Sequence, residues 1–269
     1  MIKINNLSFA YKKQASLFNE LSLNEEAGQI IGLLGKNGAG KTTLLQLISG
    51  LLTPKAGDID INGQNPVMRS PGFLEQLYFV PEEFIMPSVK IRKYVEGNAP
   101  FYPRFDRALF NDLIRQFELD ENKVVSKMSH GQKKKFRIAF ALASKCQLIV
   151  LDEPTNGLDI PSKAIFRQMV AGAMEDDQTI IISTHQVKDV ETLIDKILLV
   201  DHGKIIFNET IIKLSEKYDF KIVRHLPEEV LYSELNPMGY NVITPANGTT
   251  SEVDIELLFN AINNGVTIN

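Results

Sequence analysis

Cysteine is almost absent from this 269-residue chain, which has one, Cys146. A single thiol excludes an internal disulfide and is too few for a Cys-rich zinc site, so Cys146 reads as a small buried apolar residue. A basic excess is missing too. The formal net charge is -4, and a weakly acidic protein does not suit general nucleic-acid binding, so no nucleic-acid partner is expected. No stretch approaches the run of about 18 apolar residues that a membrane helix needs. The longest candidate, Leu44 to Leu52, is interrupted by Gln46, Ser49 and Gly50. Met1-Ile2-Lys3-Ile4-Asn5-Asn6 lacks the apolar core of a secretory leader, so the expected location is cytosolic, with docking onto a membrane protein left open. Internal repeats and low-complexity segments are also absent. What is present is ordinary globular composition, 44% hydrophobic and 23% charged, which excludes a disordered or fibrous chain. The length suits one large domain, or one domain with a small appendage.

The order of elements can be read along the chain. Ile2, Ile4, Leu7 and Phe9 predict a first strand, imperfectly alternating. The run Ile30 to Leu34 ends in a Gly-rich loop, and a helix is expected from Lys41 to about Leu52. Asp58 to Ile61 and Leu77 to Val80 read as short strands, closed by Asn62-Gly63 and Pro81. From about Ile91 to Leu119 the pattern turns helical, with Leu109, Leu113, Ile114 and Phe117 on one stripe, and Pro100 and Pro103 divide it. A further helix is expected to start near Ser129 and to bury Phe136, Ala139, Phe140 and Ala143. Leu148 to Leu151 and Thr179 to Ile182 are short and continuously apolar, as strands buried on both faces of a parallel sheet are. Pro161 to Met174 between them reads as a crossover helix, and Asp201-His202-Gly203-Lys204 as a hairpin turn. Past Glu209 the character changes to a small mixed α/β appendage, whose role is open between regulation, dimerisation and packing. Within it, Ser251 to Asp254 matches a capping box before a helix carrying Leu257, Leu258, Ala261 and Ile262.

Gly35-Lys36-Asn37-Gly38-Ala39-Gly40-Lys41-Thr42 fits the phosphate-loop pattern G-x-x-x-x-G-K-[ST] without a mismatch, between an apolar strand and a helix. The glycines let several backbone N–H groups converge on phosphate oxygens, and the helix N-terminus adds a favourable dipole. Lys41 supplies charge for the β- and γ-phosphates, Thr42 a hydroxyl for Mg²⁺, and Thr43 a contact near the α-phosphate. A nucleoside triphosphate is the expected ligand. Leu148 to Leu151 leads into Asp152-Glu153, at the strand end where ligands of open α/β sheets bind. Asp152 suits Mg²⁺ and Glu153 suits polarisation of an attacking water as general base. By the same geometry His185, after Thr179 to Thr184, reaches the γ-phosphate side as a donor that stabilises transferring charge.

Further motifs lie in order between and after these. Met128-Ser129-His130-Gly131-Gln132 resembles the Leu-Ser-Gly-Gly-Gln signature of ABC-type ATPases. Asn156-Gly157-Leu158-Asp159 is similar to the D-loop of that family, and Ser183-Thr184-His185 to its switch histidine. Tyr11 stands where the family stacks an aromatic ring on adenine. The resemblance covers about residues 1 to 210. It implies an α/β P-loop NTPase with a mostly parallel core sheet, an N-terminal antiparallel β subdomain and an α-helical subdomain at about 84 to 145. Residues 211 to 269 would then be the small C-terminal α/β appendage. It implies ATP and Mg²⁺ as cofactors, and two ATPase subunits, as homo- or heterodimer, closing head to tail over two ATP molecules. Each site would take the phosphate loop, Asp152, Glu153 and His185 from one copy, and Ser129, Gly131, Gln132 and the Asp159 loop from the other. Closure and hydrolysis would drive separate transmembrane permease subunits, which hold the chain on the cytoplasmic face of the membrane.

Two positions depart from the family pattern. His130 replaces the first signature glycine. Pro81-Glu82-Glu83 stands where the family carries glutamine, so Glu82 reads as a group near Mg²⁺ or the lytic water, or as a solvated loop acid. Val80 to Glu83 is similar to the corresponding loop of exporter-type systems. Phe101-Tyr102-Pro103-Arg104-Phe105-Asp106 resembles bacterial exporters of antibiotic-responsive operons, or else its aromatics pack the helical subdomain. Ser129-x-x-Gln132 is also a capping box. Lys133, Lys134 and Lys135 after it oppose the helix dipole, which a triphosphate across an interface would offset, or they form a solvated basic face. The region from Pro81 to Leu119 is expected to dock a short helix of the partner. A soluble ABC-type ATPase of translation or DNA repair is the alternative function. A P-loop kinase or GTPase leaves the signature, the D-loop and the histidine unexplained.

Overall fold

The computed structural model describes residues 1–248 and 251–268. In chain order the elements are β1 (Ile2–Phe9), β2 (Phe18–Glu25), β3 (Gln29–Leu34), α1 (Lys41–Ile48), β4 (Ala56–Ile61), α2 (Pro71–Leu74), β5 (Leu77–Val80), α3 (Ile91–Asn98), α4 (Arg107–Gln116) and α5 (His130–Ala143). Then follow β6 (Leu148–Asp152), α6 (Ile160–Ala173), β7 (Thr179–Thr184), β8 (Lys196–Asp201), β9 (Lys204–Thr210), α7 (Ile211–Lys217), β10 (Tyr218–Val223), β11 (Tyr232–Asn236), β12 (Gly239–Pro245) and α8 (Ile255–Asn263).

The central sheet has the order β5-β6-β7-β3-β8-β9. Its first five strands run parallel, and only β9 is antiparallel, folded back on β8 through the 201–204 turn. Strands β6 and β7 are buried at every position, which is why their sequences are continuous apolar runs rather than alternating ones. An antiparallel sheet β2-β1-β4 shares one apolar cluster with α1 and with Ile31, Leu33, Val150 and Ile181 of the main sheet. These layers match the α/β P-loop architecture implied by the sequence.

Strand β2 has no counterpart in the sequence reading. Its register against β1 slips between Leu21 and Phe18, and its last inward position is Glu25, which is almost wholly buried. Glu25 is inside because Lys196 Nζ (2.6 Å) and Asn208 Nδ2 (2.8 Å) bind its two carboxylate oxygens, tying the antiparallel sheet to the main one. Helix α1 stops at Ile48, short of the expected Leu52. Gly50 takes a φ of 64°, and the Leu51 and Gly50 amides return to the carbonyls of Gln46 (2.8 Å) and Leu47 (3.1 Å), a Schellman closure.

The helical layer, α3 to α5, is organised by Phe140. Its ring meets those of Tyr78, Tyr94, Tyr102 and Phe105 at centroid distances of 5.4, 5.6, 5.8 and 5.0 Å. The aromatics of the 101–106 stretch thus divide. Tyr102 and Phe105 pack inward, while Phe101 is 68% exposed. Cys146 is buried, and burial pushes its thiol up to about 12, so it is inert as read. Among the described residues no helix is long and apolar enough to cross a membrane.

After β9 come α7, the small sheet β10-β12-β11 and α8. The cap of α8 corrects the sequence reading. Asp254, not Ser251, accepts from the Leu257 amide (2.9 Å), while Ser251 Oγ accepts from the Phe220 amide of β10 (2.8 Å). Both residues could cap; the unpaired strand amide decides which does. Ile255, Leu257, Leu258 and Ala261 of α8 join the main core, and Lys188 just beyond β7 pairs with Glu256 at 2.7 Å. Removing the chain after Glu209 is therefore expected to lower the Tm by ten degrees or more, on the order of the loss of several buried side chains. Specific ATPase activity should fall less. A truncated chain that melts with the full one would contradict this packing role.

Candidate functional site

Strands β3, β7 and β6 are neighbours in register, so Leu34 lies beside Thr184, and Asp152 beside Ser183. Whatever follows each strand arrives at one edge of the sheet. After β3 comes the phosphate loop. Gly35, Gly38 and Gly40 take φ of 156°, 82° and 107°. At Gly40, which heads α1, a Cβ would also lie 3.0 Å from the Phe18 ring, so both backbone and neighbour require glycine. The curled loop and the first turn of α1 open onto a concavity of about 250 Å³. It is lined by Asn37, Gly38, Gly40, Lys41, Thr42 and Thr43, with Glu82 and Glu153 opposite. Lys41 Nζ donates to the carbonyls of Gly35 (2.8 Å) and Lys36 (3.3 Å) and lies 3.9 Å from Glu153 Oε1. Burial holds its ammonium below the ordinary lysine value, while Glu153, Asp152 and Glu82 pull it back up.

The acids at the end of β6 differ in their partners. Asp152 Oδ1 accepts from Ser183 Oγ, and its Oδ2 is buried with no hydrogen-bond partner. Glu153 takes a left-handed φ of 46°. Its Oε1 meets His185 Nδ1 at 2.8 Å, and its Oε2 is likewise buried without a partner. Two orphaned carboxylate oxygens at the end of β6, with Glu153 and Thr42 lining one concavity, fit a hard, oxygen-seeking cation and a water to be polarised. The carboxylate only accepts, so Nδ1 of His185 carries the proton.

Glu82 is half-buried and engaged rather than free on a loop. It lines the concavity, and its Oε1 accepts from Asn156 Nδ2 (2.9 Å), while Asn156 Oδ1 accepts from Gln186 Nε2 (3.1 Å) beside the histidine. Tyr11 stands at the rim with its hydroxyl 3.0 Å from Thr43 Oγ1 and its ring edge-on to Phe9.

Ser129, Gly131 and Gln132 do not join this concavity. They begin α5 as the expected capping box, with Gln132 N donating to Ser129 Oγ (3.2 Å) and Ser129 N donating to Gln132 Oε1 (3.3 Å). Gly131 faces the Gly157 carbonyl, which a Cβ would approach to 3.0 Å. His130 stacks on Phe84 at 6.0 Å and packs against Gly157. Asp159 caps α6 through the Ser162 amide at 2.9 Å.

The basic run 133–135 is neither wholly solvated nor wholly turned to an interface. Lys134 is fully buried. The sequence carried one signal for this: Lys134 lies four residues before Ile138 and seven before Ala141, on the buried stripe of α5. Nothing in the sequence marked the links among Glu82, Asn156 and Gln186, which are made only by the fold.

Comparison with known proteins gives a consistent picture. The family described as ABC transporter matches residues 18–156. ABC transporter ATP-binding protein NatA of Bacillus subtilis is 32% identical over 213 residues, covering 76% of this chain and 86% of that protein. Bacitracin transport ATP-binding protein BcrA of Bacillus licheniformis is 34% identical over 220 residues, covering 77% and 68%. Among solved structures, a dimeric post-hydrolysis state of an ATP-binding cassette bound to ADP and Pi has a TM-score of 0.68 at 23% identity. It covers 78% of this chain and 98% of that one, a likeness of fold. These relatives give no support to a soluble ATPase of translation or DNA repair. With a phosphate loop, an acidic strand end and His185 on one sheet edge, the chain belongs to the ABC transporter ATP-binding family and is an ATP-binding, ATP-hydrolysing subunit that energises a membrane transporter.

Proposed function

We propose that Glu153 is the general base of hydrolysis, with Lys41 and His185 as the groups that meet charge on the transferring phosphate. The observation that carries this reading is the Glu153 carboxylate itself. One oxygen is held by His185, with Lys41 3.9 Å away, and the other is buried and unengaged. A base so fixed takes a proton from water without first reorganising. The phosphate loop (Gly35, Asn37, Gly38, Gly40, Lys41, Thr42, Thr43) binds the triphosphate, and Tyr11 the adenine. Thr42 and Asp152 hold Mg²⁺, with Glu82 alongside; an ion of this kind keeps few protein ligands and takes its remaining oxygens from phosphate and water. Bound Mg²⁺ supplies neutralisation of phosphate charge.

Ser129, Gly131 and Gln132 lie outside the concavity of their own chain, which supports a head-to-tail dimer in which they complete the partner copy's site. The dimeric state of the cassette of similar fold supports a dimer here. Residues 1–210 form the ATPase unit in this reading, and 211–269 its appendage.

The permease subunit docks in a groove of about 670 Å³ between the main sheet and the helical layer. Leu51, Leu74, Phe79, Pro100, Phe101 and Arg137 line it, so residues outside the expected 81–119 contribute as well. Its apolar floor and the two guanidinium groups of Arg69 and Arg137 suit a short amphipathic helix of a polytopic chain. That contact holds the subunit on the cytoplasmic face of the membrane. Export is the direction we favour, from the 80–83 and 101–106 resemblances and the likeness to the bacitracin transport protein.

Glu153→Gln is expected to keep ATP binding and to cut turnover by about 100-fold or more, the scale of a lost general base. Phosphate release, measured beside titration with a fluorescent ATP analogue, tests this; turnover within about threefold of wild type would remove Glu153 from the role. Phe101→Asp is expected to abolish co-purification of a polytopic membrane protein from detergent-solubilised membranes while leaving the ATPase activity of the isolated subunit within about twofold. Undiminished co-purification would place the docking face elsewhere. Cells lacking the chain are expected to become more sensitive to the exported compound; increased resistance would reverse the direction.

A further inference from the structure

No charged side chain among the described residues is more deeply buried than Lys134, at 0% exposure. It projects from α5, yet its partners belong to the end of β6 and the loop beyond. Lys134 Nζ donates to the carbonyl of Glu153 (2.6 Å) and to that of Asn156 (3.0 Å). A buried ammonium is costly unless fully compensated, and an apolar side chain of the same length would fill this space without that cost. The lysine is held there by two carbonyls and by the field of Glu82, Glu153 and Asp152.

What the ammonium grips is strained. Glu153 is one of the non-glycine residues with positive φ, at 46°. Its amide is fixed from the other side by Ser183, through the carbonyl (3.1 Å) and the hydroxyl (3.1 Å). On the carbonyl side the only other donor among the described residues is the Asn156 amide, at a long 3.3 Å. Without Lys134 that carbonyl would be buried and poorly satisfied, and the backbone would be free to relax toward an unstrained φ. Relaxation at this one residue would swing the carboxylate away from His185 and Lys41. The same ammonium holds Asn156, whose side chain reaches both Glu82 and Gln186. It therefore pins both ends of the short turn from which the site's acids and switch loop are arranged.

We propose that Lys134 is a positioning residue for hydrolysis: by binding the Glu153 and Asn156 carbonyls it holds the strained Glu153 backbone in the conformation that aims its carboxylate into the site. This rests on the reading of Glu153 as general base. Lys134 touches no substrate, so its removal should act on turnover and not on nucleotide affinity.

The test compares Lys134→Met, which keeps length and loses both hydrogen bonds, with Lys134→Gln, which keeps a donor and loses the charge. Circular dichroism and thermal melting establish that each is folded. Lys134→Met is expected to lower kcat about 10- to 100-fold, the scale of a base misplaced by about 1 Å, with affinity for the fluorescent ATP analogue within about threefold of wild type. Lys134→Gln should recover part of that loss. In a Glu153→Gln background, Lys134→Met should lower the residual turnover no further, because it acts through the missing base. A kcat within about twofold of wild type in Lys134→Met would overturn the proposal. So would an equal loss in both backgrounds, or a loss confined to nucleotide affinity. Glu153→Gln alone separates the two readings. If it retains turnover, the base assignment falls first. If it abolishes turnover while Lys134→Met does not, only the role of Lys134 falls.

Discussion

The site depends on one constraint, the parallel register of β3, β7 and β6. Leu34, Thr184 and Asp152 end their strands side by side, so the phosphate loop, His185 and the two acids emerge within reach of one another. No single motif carries that information. It comes from burying three short apolar strands between layers of helix and sheet, where only a shared register satisfies every backbone group. A slip of one residue in β6 would invert its side chains and take Asp152 off Ser183.

On this frame the charges form a compact set. The ammonium groups of Lys41 and Lys134 face the carboxylates of Asp152, Glu153 and Glu82. Each acid has one oxygen engaged by a protein donor: Ser183 on Asp152, His185 on Glu153 and Asn156 on Glu82. For Asp152 and Glu153 the second oxygen is buried and left over, which is how a protein prepares acceptors for a ligand rather than for itself. The glutamate that stands where the family carries glutamine is thus built into the network, held by the loop that also contacts the switch.

Legibility in the sequence followed the range of the interactions. The phosphate loop could be read because its chemistry sits in eight consecutive residues whose types are dictated by backbone shape and charge. Strands β6 and β7 could be read because burial on both faces leaves an apolar run. The Ser129 capping box is local, and it held. What escaped is decided across the fold. Strand β2 was hidden by a register slip and by Glu25, inside only because Lys196 and Asn208 meet it. Ser251 and Asp254 were both fit to cap α8, and the amide of Phe220 settled the matter from another element. Lys134 looked like part of a surface charge run, because its two carbonyl partners lie 19 and 22 residues away in the chain.

In the proposed head-to-tail dimer each chain is half of a working site, since the phosphate loop and Glu153 lie together while Ser129, Gly131 and Gln132 lie outside that concavity. The most direct test is the specific ATPase activity of the purified chain over a wide range of protein concentration, with light scattering on the same samples. Activity per chain that rises with concentration, in step with an ATP-dependent dimer, is the predicted result. The same activity per chain in samples that remain monomeric throughout would contradict it.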